Sequence, residues 1–489
     1  MHRLAFILFL LIPYLGIAQT DTVAHLYAFG GGNNDVAEEI EATDDGGFII
    51  IGSTSSNSWG NTDAYLLKID SNCNYEWSKA LGGPNNDWGY SVKQTFDKGY
   101  IIALSTNSYG NGGYDACLMK RDSLGNYEWK KTYGGNDWDF AYSVVQTHDS
   151  GFVFCGETYN NSSGFSDVYI VKTNQLGDTL WTRTVGGSLI DKGNSVIETS
   201  DSNIVVAGIK NTITDSTQIY VLKFDFNGTL LWDSLYGDSL YEIAYSIIEA
   251  NNGDYIFGGA STSFSPSSDK DYYLIRSSNN GNIIWANQYG SPSIPEDDEI
   301  FDVAESNSGN IVVVGYTEGA GGGMKDVSVF YVNSGGFWLH KSSTYGGLAN
   351  EVGKSLVVSS DIKIAGLTDG KYGNGLEDVL VICLDTIYQG QMFDTDSVYD
   401  AIPLKIKDVS DNDYFSVYPN PAQNHIVINS DSITKGKIRL LDITGKELLS
   451  DEYEINKPIP LVNLISGFYF IEIYVEEDLF VVKKIVISR

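Results

Sequence analysis

Tryptophan returns at a near-constant interval along the 489-residue chain: Trp77, Trp129, Trp181, Trp232, Trp285 and Trp338 stand 51 to 53 residues apart, and most precede a Gly pair. A fixed period of this length means that one supersecondary unit is repeated, each copy burying its apolar surface against its neighbours. Inside each unit lie four short segments of β-type residues separated by Gly, Asn, Asp and Ser. The second unit shows all four: a, DWGYSVKQT from Asp87; b, GYIIALST from Gly99; c, DACLMKRD from Asp115; and d, NYEWKKTY from Asn126.

Four strands per repeat of this period point to propeller blades. Segment c begins at Asp63, Asp115, Asp167, Gln218, Asp271, Asp326 and Asp378, and segment d precedes Gly30, Gly82, Gly134, Gly186, Gly237, Gly290 and Gly346, so there are seven of each. The first d, around His25 to Phe29, has no a, b or c before it, and the last a-b-c, ending near Asp385, has no d after it. The N-terminal strand is therefore expected to complete the last blade, which removes the free edges an open array would expose. The expectation is an all-β, seven-bladed β-propeller with 3+1 strand closure over residues 22–388. In the sixth unit, counting on from Asn333 puts His340 rather than Trp338 in the tryptophan slot, with an extra residue before Tyr345. The tryptophan column reads as packing between blades, because large aromatics dominate burial; a sugar-stacking row is the other reading.

The formal net charge is −32, and residues 414–489 hold 8 Lys and Arg against 10 Asp and Glu, so the acidity belongs to the repeats. A field of this sign repels phosphate and sulfate, making nucleic acid and polyanionic glycans poor partners and leaving cations and neutral ligands. The four cysteines, Cys73, Cys117, Cys155 and Cys383, form no CxxC pair or compact framework. Cys117, Cys155 and Cys383 lie in apolar strands and read as small core residues, so no structural disulfide is expected. With five histidines in all, no HExxH or other His-based metal signature exists.

The N-terminus, MHRLAFILFLLIPYLGIAQT, has a basic Arg3, an apolar run to about Leu15 and small Gly16 and Ala18. It reads as a secretory signal peptide, residues 1–18, too short for a comfortable membrane span. No other stretch is long enough for a transmembrane segment. After a polar, acidic linker of 389–413, residues 414–489 break the period. Alternation in IRLLDI, FYFIEIYV and FVVKKIVI argues strands with one buried face and a small antiparallel β-sandwich.

This tail resembles the type A C-terminal sorting domain of the Bacteroidota type IX secretion system. The resemblance rests on Tyr418-Pro419-Asn420-Pro421, the Asp442-x-x-Gly445-Lys446 turn, Ser466-Gly467-Phe468-Tyr469, and the basic, apolar end with Lys483 and Lys484. It implies a protein delivered through the periplasm to the medium or the outer-membrane cell surface, with the type IX secretion machinery as partner of residues 414–489 and removal of the tail as a common sequel. The repeats, with DGG-aromatic, D-x-Y and W-x-x-x-YGG elements, are similar to propeller repeats of secreted Bacteroidota proteins and carry no catalytic motif.

One column stands out when the seven a segments are aligned: Asp35, Asp87, Asp139, Asp191, Glu242, Asp298 and Glu351 are all acidic. Two residues on comes mostly Ala or Gly, and four residues on mostly Ser, with Glu39 and Asp302 as departures. Small residues suit strands crowded around the axis, so the carboxylates are expected to ring one mouth of the channel. Either each accepts backbone N–H groups of its own d-to-a loop, or together they form a ligand funnel or a site for a divalent cation. No cofactor is expected otherwise. Asp70-x-Asn72-x-Asn74 starts a calcium loop but has Tyr75 where Gly is required. No GxSxG, Cys/His pairing or phosphate-cradling loop fits its context. The leading function is binding or adhesion toward an unknown extracellular glycan or protein; a polysaccharide-degrading enzyme or accessory, or a purely structural surface protein, are the alternatives.

Overall fold

The computed structural model describes residues 24–384, apart from 57, 59, 161, 163, 213–215, 264–267, 291–295, 320–323, 360 and 370–375. It also describes 416–487, apart from 419–421, 430–434, 442–445, 455–456, 462–463, 465–466 and 476–477. The signal peptide expected at 1–18 and the linker expected at 389–413 lie outside the described residues.

Seven four-stranded antiparallel sheets form the propeller. Middle strands such as Phe152–Thr158 and Asp167–Thr173 are buried along their whole length, because both faces pack on neighbouring blades, and so they read as continuous apolar runs. Outer strands such as Thr179–Val185 face water on one side. The a strands are Asp35–Ala42, Asp87–Gln94, Asp139–Gln146, Asp191–Glu198, Glu242–Glu249, Asp298–Glu305 and Glu351–Val358. Each packs on the next and the seventh on the first, so they line a closed channel. Ala24–Phe29 pairs antiparallel with Asp378–Leu384 of the seventh blade, the closure expected from counting segments.

The tryptophans join the blades. Trp77 lies against Gly125 in the next blade's c-to-d turn, and Trp129, Trp181, Trp232 and Trp285 meet Gly177, Gly228, Gly281 and Gly336 in the same way. Those glycines sit at φ of +77° to +83°, and a Cβ there would press on the indole. In the sixth blade Val332 opposes Trp338 and Phe330 opposes Ser342. In the second, Arg121 opposes Tyr127 and Met119 opposes Lys130, flanking Trp129. Three residues, 339–341, thus stand against the single Tyr331 where the second blade sets two against Lys120, which is the extra residue the count predicts.

The seventh joint corrects the expectation that no structural disulfide exists and that Cys383 is merely a core residue. In the closing strand His25 stands where other blades place tryptophan, and it opposes Cys383 as Trp129 opposes Lys120. The facing turn of blade 1 has Cys73 at φ +63° where the other turns have glycine. Cys73 and Cys383, 310 residues apart, are disulfide-bonded, so a covalent bond replaces the Trp–Gly contact where the ring closes. Spacing gave no hint, because the partners become neighbours only when the first blade meets the last. Cys117 and Cys155 are free and buried.

A second column was not anticipated. Lys68, Lys120, Lys172, Lys223 and Arg276 project from c strands and are buried, each 2.9 to 3.2 Å from an aspartate in its own a-to-b turn (Asp45, Asp97, Asp149, Asp201 and Asp254).

In the tail, Ser416–Tyr418, His425–Asn429 and Pro458–Pro460 form one sheet. Glu447–Glu454, Lys435–Leu441, Gly467–Val475 and Asp478–Ile487 form the other, in that order. Ile426, Ile428 and Ile459 of the first share a core with Ile438, Leu440, Tyr469, Ile471 and Ile485 of the second, giving the small antiparallel sandwich expected.

Candidate functional site

The seven acidic residues stand at the first position of the a strands and are all buried. Asp87 accepts N–H from Gly83 at 2.8 Å, a hydroxyl from Ser108 at 2.6 Å and another from Thr106. Asp35 repeats this with Gly31, Ser56 and Thr54. Asp139 takes Gly135 N–H and the Asn160 amide, and Asp191 takes the amides of Gly187 and Asn211. Glu242 accepts from Asp238 N–H and Ser261, and Glu351 from Gly347 N–H and Thr368. In the sixth blade the corresponding loop, 291–295, lies outside the described residues. Burial raises Asp139, Asp191 and Glu351 above the ordinary carboxylate range and pushes Asp298 to about 7.

A second buried carboxylate approaches from the preceding blade's c strand. Asp63 and Asp87 flank Gly82, Asp167 and Asp191 flank Gly186, and Asp326 and Glu351 flank Gly346, so closely that a Cβ on any of these glycines would collide with carboxylate oxygen. Among the described residues no group of three or more His, Cys, Asp or Glu side chains is gathered as metal ligands.

The channel itself is shaped by a β-bulge that recurs in all seven a strands. The register skips one residue between Ala37 and Glu39, Gly89 and Ser91, Ala141 and Ser143, Gly193 and Ser195, Ala244 and Ser246, Ile300 and Asp302, and Gly353 and Ser355. A bulge re-aims the extra side chain, and here that residue lines a cavity of about 690 Å³ in every blade: Glu38, Tyr90, Tyr142, Asn194, Tyr245, Phe301 and Lys354. The residue after the bulge ties blades together. Ser91, Ser143 and Ser195 accept the strand N–H groups of Val144, Val196 and Ile247 in the next blade at 3.1 to 3.3 Å. The serine column seen in the alignment thus satisfies backbone donors around the axis.

The two departures from serine carry charge. Glu39 accepts Val92 N–H at 2.7 Å and the Lys93 ammonium at 2.6 Å, and Lys93 also reaches Glu41 at 3.0 Å. Burial works against the Lys93 ammonium, but the two carboxylates outweigh it and hold its pKa above the ordinary value. Asp302 accepts from Leu356 N–H, Ser355 and Ser246 at 2.7 to 3.0 Å, while burial keeps its pKa raised. Lys354 pairs with Glu38 at 3.6 Å and lies 4.2 Å over the Phe301 ring.

Beyond the cavity, toward the end where the a strands begin, aromatic residues gather in one sector. Phe140 lies near-parallel to Tyr142 (5.9 Å between ring centres) and to Tyr114 (5.6 Å), and Trp138 stands edge-on to Tyr114 and Phe140. Tyr142 meets Tyr90 edge-on at 5.1 Å, and Trp88 donates its indole N–H to Tyr114. Neither the bulge column nor this sector was singled out from sequence. The available signal was variation: the bulge position differs from blade to blade while the acidic, small and serine columns beside it repeat.

In the tail, Tyr418 ends the first strand, Gly467 begins the third strand of the larger sheet, Tyr469 is buried, and Lys483 and Lys484 lie in the last strand. Lys446 just precedes the strand that starts at Glu447, while Pro419, Asn420, Pro421, Asp442 and Gly445 fall outside the described residues. Residues 416–488 match the family described as Secretion system C-terminal sorting domain. The tail is a type IX secretion sorting domain. A chain that carries this sorting domain is a secreted or cell-surface protein, engaged by the type IX secretion machinery. Among the described residues no helix is long and apolar enough to cross a membrane.

Among curated proteins none matches the chain. Among solved structures it is similar to PorZ, an essential bacterial surface component of the type IX secretion system of Porphyromonas gingivalis, at 12% identity and TM-score 0.38, covering 94% of this chain and 74% of that one. It is also similar to polysaccharide lyase Uly1, at 11% identity and TM-score 0.41, covering 73% and 92%. A third, a Bacteroides caccae protein of unknown function, shares 9% identity at TM-score 0.36, covering 54% and 94%. At these identities and scores, what those proteins do is not carried over to the sorting domain's cargo.

Proposed function

We propose that the propeller, once delivered by its sorting domain, is a binding or adhesion module that takes part of an extracellular glycan or protein into its central channel. The observation that carries this reading is the bulge column. Positions that serve only the fold repeat from blade to blade, whereas Glu38, Tyr90, Tyr142, Asn194, Tyr245, Phe301 and Lys354 make one wall aromatic and another charged around a cavity of about 690 Å³. A concave site with apolar walls and a few placed polar groups has the anatomy of a ligand pocket. Binding is favoured over hydrolysis because each channel acid already has a partner: Glu38 has Lys354, Glu39 and Glu41 have Lys93, and Asp302 has three donors. A hydrolase needs two carboxyl groups at a set separation that are open to substrate. The acidic ring is read as holding the turns after each Gly pair, which the loop N–H groups at Asp35, Asp87, Asp139, Asp191, Glu242 and Glu351 support.

A glycan and protein binding screen on the mature chain, run beside a polysaccharide hydrolysis assay, tests the reading. Binding without turnover, weakened by Tyr142→Ala or Phe301→Ala, is expected. Product formation that vanishes in Glu38→Gln or Asp302→Asn would make the protein an enzyme instead.

A further inference from the structure

The aromatic sector has a composition that blade packing does not require. Along the third a strand and the residue before it, Trp138, Phe140 and Tyr142 occupy alternate positions; the second blade adds Trp88 and Tyr90, and the loop after Thr106 adds Tyr114. The other blades place Asn34, Asn86, Ile190, Tyr241, Asp297 and Asn350 where the third has Trp138. Trp138 is 51% exposed and Trp88 36%, so two of the largest apolar side chains stand in water at the channel mouth. The ring contacts are continuous from Trp138 through Phe140 and Tyr142 to Tyr90, and the last two line the cavity. This is a tract of ring surfaces leading from solvent into the channel.

Its chemistry narrows the ligand. Cations are drawn to aromatic faces, but Lys192 already lies 5.8 Å over Tyr142, and across the channel Lys354 covers Phe301, so a second cation would meet fixed ammonium groups. Anions meet a chain of formal charge −32. A neutral ligand remains, and the polar groups stand at ring edges. The Tyr142 hydroxyl donates to Glu157 at 2.5 Å, and the Tyr114 hydroxyl receives the Asn86 amide at 3.2 Å and the Trp88 indole N–H at 3.4 Å. Flat apolar faces bordered by donors and acceptors suit a pyranose, with its apolar C–H face and equatorial hydroxyls. Phe140 stacks on both Tyr114 and Tyr142, so the ring surface left to a sugar is chiefly that of the half-exposed Trp138 and Trp88. We infer that this tract binds a neutral oligosaccharide chain and feeds its end into the channel, an inference that rests on the channel being a binding site.

Isothermal titration calorimetry of the full mature chain with cellohexaose, xylohexaose, mannohexaose, maltohexaose and chitohexaose tests it, with polygalacturonate as the anionic control. At least one hexaose is expected to bind and polygalacturonate not. Trp138→Ala and Trp88→Ala are each expected to weaken binding about tenfold or more in protein whose cooperative melting shows that the fold is kept. No binding by any hexaose up to about 10 mM, or binding untouched by both substitutions, overturns the inference. If hexaoses bind but respond only to Phe301→Ala, the tract is wrong and the channel reading stands. If instead a displayed peptide binds and is lost in Tyr142→Ala, the saccharide is wrong and the channel reading again stands. If neither class of probe responds to Tyr142→Ala or Phe301→Ala, both fall.

Discussion

Asp298 and Asp115 are buried carboxylates with pKa values pushed up to about 7 and about 6, first by burial and then by a neighbouring aspartate, Asp271 and Asp139 respectively. A raised native pKa means that the folded state holds a proton which the unfolded chain releases. Their contribution to stability is present below the unfolded carboxylate range and is lost as pH rises through 6 to 7. Asp298→Asn is accordingly expected to raise stability at pH 8 by up to about 4 kcal/mol while changing little at pH 4, measured by denaturant titration at both pH values; equal effects at both would refute the assignment. The aspartates bound by the buried lysines have lowered pKa values and lose their contribution only below about pH 4, outside this window. The ring acids offer a separate test. If each serves its own turn, Asp87→Asn and Asp191→Asn should cost amounts that add to within about 0.5 kcal/mol. Calcium or magnesium that raised the melting temperature, with single substitutions abolishing the gain, would establish a shared cation instead. The acidic and serine columns were legible from alignment because they repeat. The lysine column was not, since a lysine in a strand reads as a solvated face, and Lys172 finds Asp149 only after the blade folds.

Strands and their pairings were largely legible, because a period-two pattern and a segment count do not depend on long-range geometry. The unpaired first d and the missing last d predicted the pairing of Ala24–Phe29 with Asp378–Leu384. Deleting residues 19–30 should leave that last strand as an open edge; aggregation or a lowered melting temperature is expected, and an unchanged monomer would contradict it. The bulges stayed hidden for a physical reason: an extra residue in one strand is visible only against its partner, and Tyr90 or Tyr142 looks like any strand aromatic until Gly89 and Ser91, or Ala141 and Ser143, are seen to oppose consecutive residues. The disulfide had a readable clue in the turns, where Cys73 stands in the slot that Gly125, Gly177 and Gly228 fill. Cys73→Gly should relax that turn yet lower the melting temperature, because closing a loop of 310 residues is worth at most about 6 kcal/mol by chain entropy. A melting temperature equal to the wild type would show that the bond carries no stability.

For the whole molecule, the sorting domain that serves export is separate in sequence from the propeller in which we propose binding. Removing residues 414–489 should leave a propeller that reaches the periplasm and stays there, as followed by cell fractionation; the truncated chain at the surface in wild-type amounts would remove the sorting role from the tail. The position of the disulfide bears on how the molecule carries tension. Cys383 lies one residue before the end of the last propeller strand, Asp378–Leu384, from which the chain runs on to the sorting domain. While the tail is attached, a pull on it soon reaches Cys383 and is handed through the bond to Cys73 in blade 1, so the chain between the two cysteines is bypassed by the load. An optical trap holding the chain by residue 24 and its C-terminus should draw out the length between residues 73 and 383 only after reduction, because in the oxidised protein the bond closes that length off from the pull.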